Sequence, residues 1–425
     1  NMKNFFNKIL FKSNNLEDVG KKIRDFSKNT PVKKIFDAVN SYSLEGEIRY
    51  VGGFTRKIIN GEKVDDIDLA TNLEPKDICA ALKKKDIDFF ESGVEHGTIT
   101  AKKDKYKFEI TTLRKDIFTD GRHAKVEFSK DWKEDAFRRD FTFNSIYSDQ
   151  DGNLFDPFNG KDDLKNGIVK FIGYTETRIK EDYLRILRYL RFFLNYSKTP
   201  HNPNTIKVLK KNIHGISKLS KERLLDELKK IIKLDFLERL SRDKLCLELI
   251  IIIFPELKNI KRFSNLNPIM KNLLQESDFI FLLSLMIIDE SDNADYFLYR
   301  FKISKKDKKR IRIIDEFFKQ KIDKKSFTEE NMNKVFYYNG KNAVDDILKF
   351  KIFKSKKFDK KLEALRKIYN EKTMPKMPIG ADILINKYQI PEGKQLGSKL
   401  KMIEEKWVNN NFRISEQQVE NIINN

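Results

Sequence analysis

The sequence predicts an α+β N-terminal half followed by a predominantly helical remainder. Three observations predict it. Between Glu47 and Ile172, short β-type runs alternate with turn signals: IRYVGG, DIDLAT, KDIDFFE, GTITAKK, YKFEITTL, FTFNSIYSD and GIVKFIG. After Gly173 strand signals nearly vanish, and apolar residues recur at three- and four-residue spacing, the period of a helix buried on one face. At 425 residues the chain exceeds what one compact domain usually holds, so two or more are expected.

The elements follow in chain order. Residues 1–40 read as a helical segment, opening with the basic, amphipathic stretch NMKNFFNKILFKSNN, which lacks the apolar run and small-residue cleavage site of a secretory signal. Residues 41–172 form the α+β part. Within it, the stretch from Leu113 to Trp132 is polar, contains glycine and has no period, so a mobile loop is expected there. Helical spacing then runs through Glu181–Tyr196, Lys221–Leu240, Leu245–Phe254, Phe279–Ile288, Lys308–Phe318 and Lys360–Tyr369. Ser220 is placed to cap the second of these, with Leu224, Leu225 and Leu228 on its apolar side. Pro375 and Pro378 punctuate a linker, and PEGKQLGSKL reads as a turn entering a final helix. The expected division is 173–235 and 236–425, with no repeat at a fixed period.

Composition bounds the partners. Lys and Arg number 85 against 64 Asp and Glu, a formal charge of +21 spread along the chain, which favours a broad polyanion-binding surface. A Lys-, Asn- and Ile-rich codon bias would supply part of that excess by itself. Cys79 and Cys246 lie far apart and form neither a zinc spacing nor a disulfide framework, so a reducing cytoplasm is expected. The longest apolar runs fall short of the roughly 20 residues of a membrane span, so no membrane partner is expected. Nothing in the chain indicates an oligomeric state.

The chemistry concentrates in YVGGFTRKIINGEKVDDIDLAT. Gly52 and Gly53 let the backbone approach a phosphate group where a Cβ would intrude, although a Gly pair alone is weak. Asp66 and Asp68, two residues apart in a strand-like run, project to the same side, and two hard carboxylates on one face suit divalent cations. A surface strand of alternating charge gives the same string. Glu109 adds a third carboxylate at the centre of another β-type run, between Phe108 and Ile110, which point to the opposite face. If the two strands are neighbours, the three carboxylates converge and can hold a pair of Mg²⁺ ions. In RRDFT, Arg138 and Arg139 supply cationic forks and Asp140 an acceptor, a set suited to phosphate and ribose; the same string occurs in ordinary surface ion pairs. In EDYLRILRYLRFF, Asp182 and Arg185 are expected to be neighbours on one helix face, as a donor and acceptor pair or as a plain ion pair. Arg188 and Arg191 continue the spacing, but Arg191 falls roughly opposite Asp182.

Together these residues resemble the polymerase-β-like nucleotidyltransferase superfamily, and within it the class II tRNA nucleotidyltransferases and bacterial poly(A) polymerases. That family's Gly-Gly-x-x-Arg turn and Asp-x-Asp pair are matched by Gly52, Gly53, Arg56, Asp66 and Asp68. The likeness continues through RRDFTFNSIYSD, DPFNGKDDLKNG, EDYLRILRYLRFF and SKERLLDELKKI. It implies a catalytic head with a mixed sheet and an all-α neck, body and tail. It also implies Mg²⁺ bound by Asp66 and Asp68 with Glu109 completing the site, a sugar contact from Arg138, Arg139 and Asp140, and base selection by Asp182 and Arg185. Arg188 and Arg191 are assigned to the nucleotide site generally, and Glu222, Arg223 and Glu227 to support of the base-reading helix. The implied activity is addition of CCA to the 3′ end of tRNA from CTP and ATP.

The chain departs from the pattern in two places. The family's usual Val-Arg-Asp after the Gly pair is Thr55, Arg56 and Lys57 here, so a positive charge stands where a carboxylate is usual. The loop retains Asp120, Gly121 and Arg122, while His123 and Ala124 diverge; in the family this loop helps the site switch from CTP to ATP. Poly(A) polymerases share the catalytic blocks, and an enzyme adding only the terminal A is a second alternative, but FFESGVEHGTIT is closer to the tRNA enzymes. A non-catalytic RNA-binding protein on this fold would be expected to have lost one of the three carboxylates. None of the four histidines is followed by Asp, so an HD-type phosphohydrolase is not expected.

Overall fold

The computed structural model describes residues 16–119, 123–320, 322, 324–355 and 359–424. The chain divides into two compact units between Leu219 and Ser220. The first is α+β. The second is built of helices, with no strand among its described residues. This division splits the expected 173–235 segment, so that the Lys221–Ile231 helix opens the second unit.

In the first unit a seven-stranded mixed sheet has the order β3-β4-β5-β2-β1-β8-β9. Its strands are β1 (Ile48–Val51), β2 (Ile67–Thr71), β3 (Asp88–Gly93), β4 (Thr98–Lys103), β5 (Tyr106–Thr112), β8 (Tyr147–Ser148) and β9 (Leu154–Phe155). All neighbours are antiparallel except β2 and β5, which run parallel at the centre. Alternation decides the faces. Ile67, Leu69, Phe108 and Ile110 are buried in one core with Val32, Phe36, Phe54, Ile78 and Leu82, contributed by the helices Val32–Asn40, Gly53–Ile59 and Pro75–Lys84. Tyr50 stacks on Phe54 with ring centroids 4.1 Å apart and joins β1 to the helix after the Gly pair. The residues in alternate positions, Asp68 and Glu109, are thereby left on the other face.

Three expectations are corrected here. The stretch from Leu113 to Trp132 is not an unstructured loop: β6 (Arg114–Thr119) and β7 (His123–Phe128) pair antiparallel as a separate hairpin, from Arg114 opposite Phe128 to Thr119 opposite His123. Among the described residues the two strands are joined only to each other, as a two-stranded sheet apart from the seven-stranded one. Asp120, Gly121 and Arg122 lie outside the described residues. FTFNSIYSD is mostly a 3₁₀ turn, Thr142–Asn144, ahead of the two-residue β8, and GIVKFIG contributes only an isolated bridge between Phe141 and Phe171. Aromatic packing of Phe141 against Phe171, Tyr189 and Phe192 holds these segments instead of a ladder.

The second unit bears out most of the helical spacing. Lys244–Ile253, Phe279–Ile287, Lys305–Lys319 and Lys360–Glu371 match expected runs. Lys221–Leu240 is broken: Ile232 leaves helical geometry at ψ 82°, giving Lys221–Ile231 and Leu234–Arg242. Ser220 caps the first of these, its hydroxyl accepting the Arg223 N–H. Lys394–Asn409 is followed by a further helix, Glu416–Asn424, and both pack in a small core with Leu384, Ile390 and Val419.

One close approach fixes the segment that carries the arginine pair. Gly160 opens the Gly160–Asn166 helix against Thr142, and a Cβ there would lie 2.1 Å from the Thr142 carbonyl oxygen. The same helix accepts the Thr142 hydroxyl through Asp163 (2.7 Å). Gly160→Ala is therefore expected to destabilise the first unit by about 1–3 kcal/mol. Thermal unfolding should show a melting temperature several degrees below that of the unsubstituted protein, and an unchanged melt would contradict this packing.

Candidate active site

The register of the parallel pair sets the site. Asp68 of β2 is the direct Cα partner of Glu109 of β5, so the two carboxylates stand side by side on the face away from the helical core. Asp66 lies one residue before β2 and is exposed. Burial raises the pKa of Asp68 above the ordinary value; Arg139 opposes this, Asp66 adds to it, and the Gly53 N–H and Arg56 oppose it again. Burial also raises Glu109, with Asp68 and then Asp66 adding repulsion. The register thus brings Asp68 and Glu109 together, while Asp66 stands one residue before the strand and bears on both through its charge. They offer hard oxygen donors whose mutual repulsion is only partly offset by Arg139, Arg56 and the Gly53 N–H, the donor chemistry that suits a divalent cation.

The Gly turn abuts this face. Gly52 holds φ 64° and ψ −118°, a conformation costly for any residue with a Cβ. A Cβ on Gly53 would lie 3.3 Å from the Asp68 carboxylate, and one on Gly52 would lie 3.6 Å from the Arg139 guanidinium. Thr55, where the family usually has Val, donates its hydroxyl to the Ile146 carbonyl (2.8 Å). Lys57, where the family usually has Asp, pairs with Asp65 at 3.6 Å. Arg56 is buried: its Nε donates to the Tyr196 hydroxyl (3.1 Å), its Nη1 donates to Asn144 Oδ1, and its guanidinium lies over the Phe192 ring (4.9 Å). It bears on Asp68 electrostatically, and its Nη2 lies 3.8 Å from where a Cβ on Gly53 would stand.

The two arginines of RRDFT are clamped by one buried acid. Arg138 Nε donates to Asp135 (2.9 Å), while Arg139 Nε and Nη2 donate to the other carboxylate oxygen (3.2 and 3.1 Å). The Tyr147 hydroxyl donates to Asp135 (2.6 Å) and accepts from Arg139 (3.0 Å). Asp140 is likewise buried and accepts from Arg188 Nε (2.6 Å), Asn144 Nδ2 (2.8 Å) and the Phe141 N–H (2.9 Å). The structure therefore brings Asp140 and Arg188 together. Arg191 lies over the Phe192 ring, 4.1 Å from its centroid.

The expected sharing of one helix face by Asp182 and Arg185 is corrected. Asp182 is extended, at φ −153° and ψ 105°, in the break between the Thr175–Glu181 and Leu184–Tyr196 helices. Its Oδ1 accepts the Leu184 N–H (3.1 Å), a local side-chain bond that competes with continuing the helix. Arg185 lies in the next helix and turns back to Glu181 (2.5 Å), the Arg178 carbonyl (2.9 Å) and the Arg138 carbonyl (3.2 Å). Neither side chain is fully exposed.

Asp135, Asn144, Tyr147, Glu181 and Tyr196 escaped the sequence reading, although the first four stand inside or beside the recognised blocks. Their buried polar character was the available signal. For Asp135, 1% exposed, burial alone would raise the pKa, but Arg139 and Arg138 outweigh it and hold it at about 2 against an ordinary 3.8. A depressed folded-state pKa stabilises above the unfolded value, and that stability is lost as pH falls toward the folded value; here the amount is about 2 kcal/mol between about pH 4 and pH 2. Asp135→Asn should cost about 3–5 kcal/mol at neutral pH and flatten that acid dependence. Urea unfolding across pH checks both, and an unchanged acid slope would contradict the clamp.

Three family models match the chain: one described as a poly A polymerase head domain over residues 48–170, one described as a probable RNA and SrmB-binding site of polymerase A over 202–261, and one described as a putative tRNA nucleotidyltransferase domain 2 over 272–422. The human mitochondrial CCA tRNA nucleotidyltransferase 1 is 48% identical over 189 residues, a match covering 44% of each chain. The crystal structure of the Bacillus stearothermophilus CCA-adding enzyme in complex with CTP shares the fold, with a TM-score of 0.67 at 21% identity, covering 90% of this chain and 93% of that one. The mouse mitochondrial CCA tRNA nucleotidyltransferase 1 is 34% identical over 383 residues, which cover 88% of this chain and 85% of the mouse protein. By that match across most of both sequences, the chain belongs to the CCA tRNA nucleotidyltransferase family.

Proposed function

We propose that this protein adds CCA to the 3′ end of tRNA, taking cytidine and adenosine nucleotides from CTP and ATP with release of pyrophosphate. The observation that carries the reading is the mouse relative's likeness across 85% of its length, combined with the register that sets Asp68 beside Glu109. The match of residues 272–422 to a tRNA nucleotidyltransferase domain favours tRNA over generic RNA. Cys79 and Cys246 are not joined in a disulfide, which fits a reducing compartment, assigned here as the cytoplasm. No helix among the described residues is long and apolar enough to cross a membrane.

In this reading Asp66 and Asp68 hold divalent cations, which we assign as Mg²⁺, and Glu109 completes the site near the attacking hydroxyl. Bound there, the metal supplies a Lewis acid for the attacking and leaving oxygens. The residues around it do the rest. Gly52 and Gly53 leave room for the triphosphate beside Asp68. Asp135 and Tyr147 fix Arg139 next to Gly52, where its guanidinium meets phosphate charge, and the same acid orients Arg138. Asp140 and Arg188 form a rigid donor and acceptor pair suited to the ribose. Asp182 accepts and Arg185 donates, so together they match the amino group and neighbouring acceptors on the pairing edge of cytosine and adenine. Guanine and uracil present a carbonyl where that amino group stands, which costs on the order of 1–3 kcal/mol.

Three experiments test the proposal. A tRNA lacking its 3′ CCA, incubated with protein and Mg²⁺, should gain two residues with CTP alone and a third only when ATP is added; a long adenosine tract on generic RNA would indicate a poly(A) polymerase instead. Asp68→Ala should reduce incorporation by about 10³-fold or more while tRNA binding persists, and chelation of divalent cations should have the same effect on the unsubstituted protein. Retained turnover in either case would remove the carboxylates from the metal role. Arg185→Ala should lower discrimination against UTP and GTP by about tenfold or more, and unchanged discrimination would remove Arg185 from base selection.

A further inference from the structure

A cavity of about 800 Å³ lies in the first unit beside the residues just described. Its walls carry three aromatic rings, Phe137, Phe158 and Tyr174, together with Arg178, Lys115 and Lys133. Two of the rings stand open to solvent: Phe137 is 49% exposed and Tyr174 86%. Tyr174 follows Gly173, which turns the chain at φ +71°, so the ring is presented by a bend that favours glycine. The Arg178 guanidinium lies over the face of Phe137, 4.6 Å from its centroid, and is anchored by Glu181 at 3.0 Å. Exposed rings and a held guanidinium plane are the surfaces on which unpaired nucleobases stack. Lys133 in the wall suits a phosphate that accompanies such a base, although Asp131 and Glu134 also line the cavity and Lys115 is paired with Glu127 at 3.1 Å.

The cavity borders the residues that hold Arg185. Arg138 and Glu181 line it, and the Arg138 carbonyl and the Glu181 carboxylate are two of the three acceptors that hold Arg185. Asp182 and Arg185 themselves, assigned above to the incoming base, are not among its lining residues. A nucleotide stacked here would lie next to the base-reading pair without occupying it. That is the relation required between the RNA end to be extended and the nucleotide added to it, which must be held side by side for transfer.

We infer that this cavity binds the 3′-terminal nucleotide of the RNA primer, its base stacked on Phe137 and Tyr174. The inference rests on the tRNA-end reading and adds to it the place where the primer end is held. Base–aromatic stacking of ordinary strength predicts that Tyr174→Ala and Phe137→Ala each raise the KM for tRNA lacking CCA by about tenfold. The KM for CTP should stay within about twofold, because the incoming base is read elsewhere. Tyr174→Phe keeps the ring and should behave as the unsubstituted protein. Tyr174 is 86% exposed, so the melt of Tyr174→Ala should match that of the unsubstituted protein and separate a binding defect from a folding one. An unchanged KM for tRNA in both alanine variants would overturn the inference, as would a rise in the KM for CTP equal to that for tRNA, which would assign the cavity to the incoming nucleotide. If the unsubstituted protein instead extends generic RNA with adenosine, the tRNA reading fails, and the same comparison made on that RNA and ATP still decides what the cavity holds.

Discussion

The pairing of β2 with β5, which sets Asp68 beside Glu109 on one face of the sheet with Asp66 just ahead of the strand, is the constraint on which the rest of the first unit depends. Parallel pairing of β2 with β5 fixes Asp68 against Glu109, and no shift of one residue is open to either strand, because it would turn Leu69, Phe108 and Ile110 out of the core. The hydrophobic face therefore dictates the position of the charged one. Repulsion among the three groups adds to the burial that lifts the pKa of Asp68 and Glu109, a cost that a bound divalent cation relieves. The Gly53 N–H, Arg56 and Arg139 are arranged around Asp68 and offset part of it.

From that face a chain of buried polar contacts runs to the Leu184–Tyr196 helix. Arg56 meets the helix directly at Tyr196, and a second time through Asn144, Asp140 and Arg188. Two attachments eight residues apart on one helix leave it little freedom to tilt or turn against the Gly turn. Arg56, a member of the Gly-Gly-x-x-Arg motif, thereby forms a joint between the carboxylate face and the helix that follows Asp182. The acid clamp of Asp135 does the same for Arg138 and Arg139, so the cationic groups near the site are set by buried acids and need not reorganise when charge arrives.

Much of this was legible in the sequence. Alternation in YKFEITTL placed Glu109 opposite Phe108 and Ile110, and the Asp-x-Asp spacing in DIDLAT marked the second carboxylate strand; β2 and β5 appear where those patterns put them. Two kinds of feature were not legible. One is local competition: the bond that Leu184 N–H donates to the Asp182 side chain breaks a run whose apolar spacing reads as one helix, and the 114–128 hairpin pairs although its sequence carries no strict alternation to announce it. The other is long-range pairing. That Asn144 meets Arg56 across 88 residues of chain, or that Tyr196 meets it across 140, follows from topology and not from any spacing.

Divalent-cation binding to the intact protein tests the account at its centre. Titration with Mn²⁺ followed by electron paramagnetic resonance, with Mg²⁺ as competitor, should find a site in the unsubstituted protein that Mg²⁺ displaces. In Asp68→Asn the affinity should fall by at least about tenfold, with a melting temperature equal to or above the original because one crowded charge has gone. Equal Mn²⁺ affinity in the two proteins would show that the three carboxylates do not form the metal site.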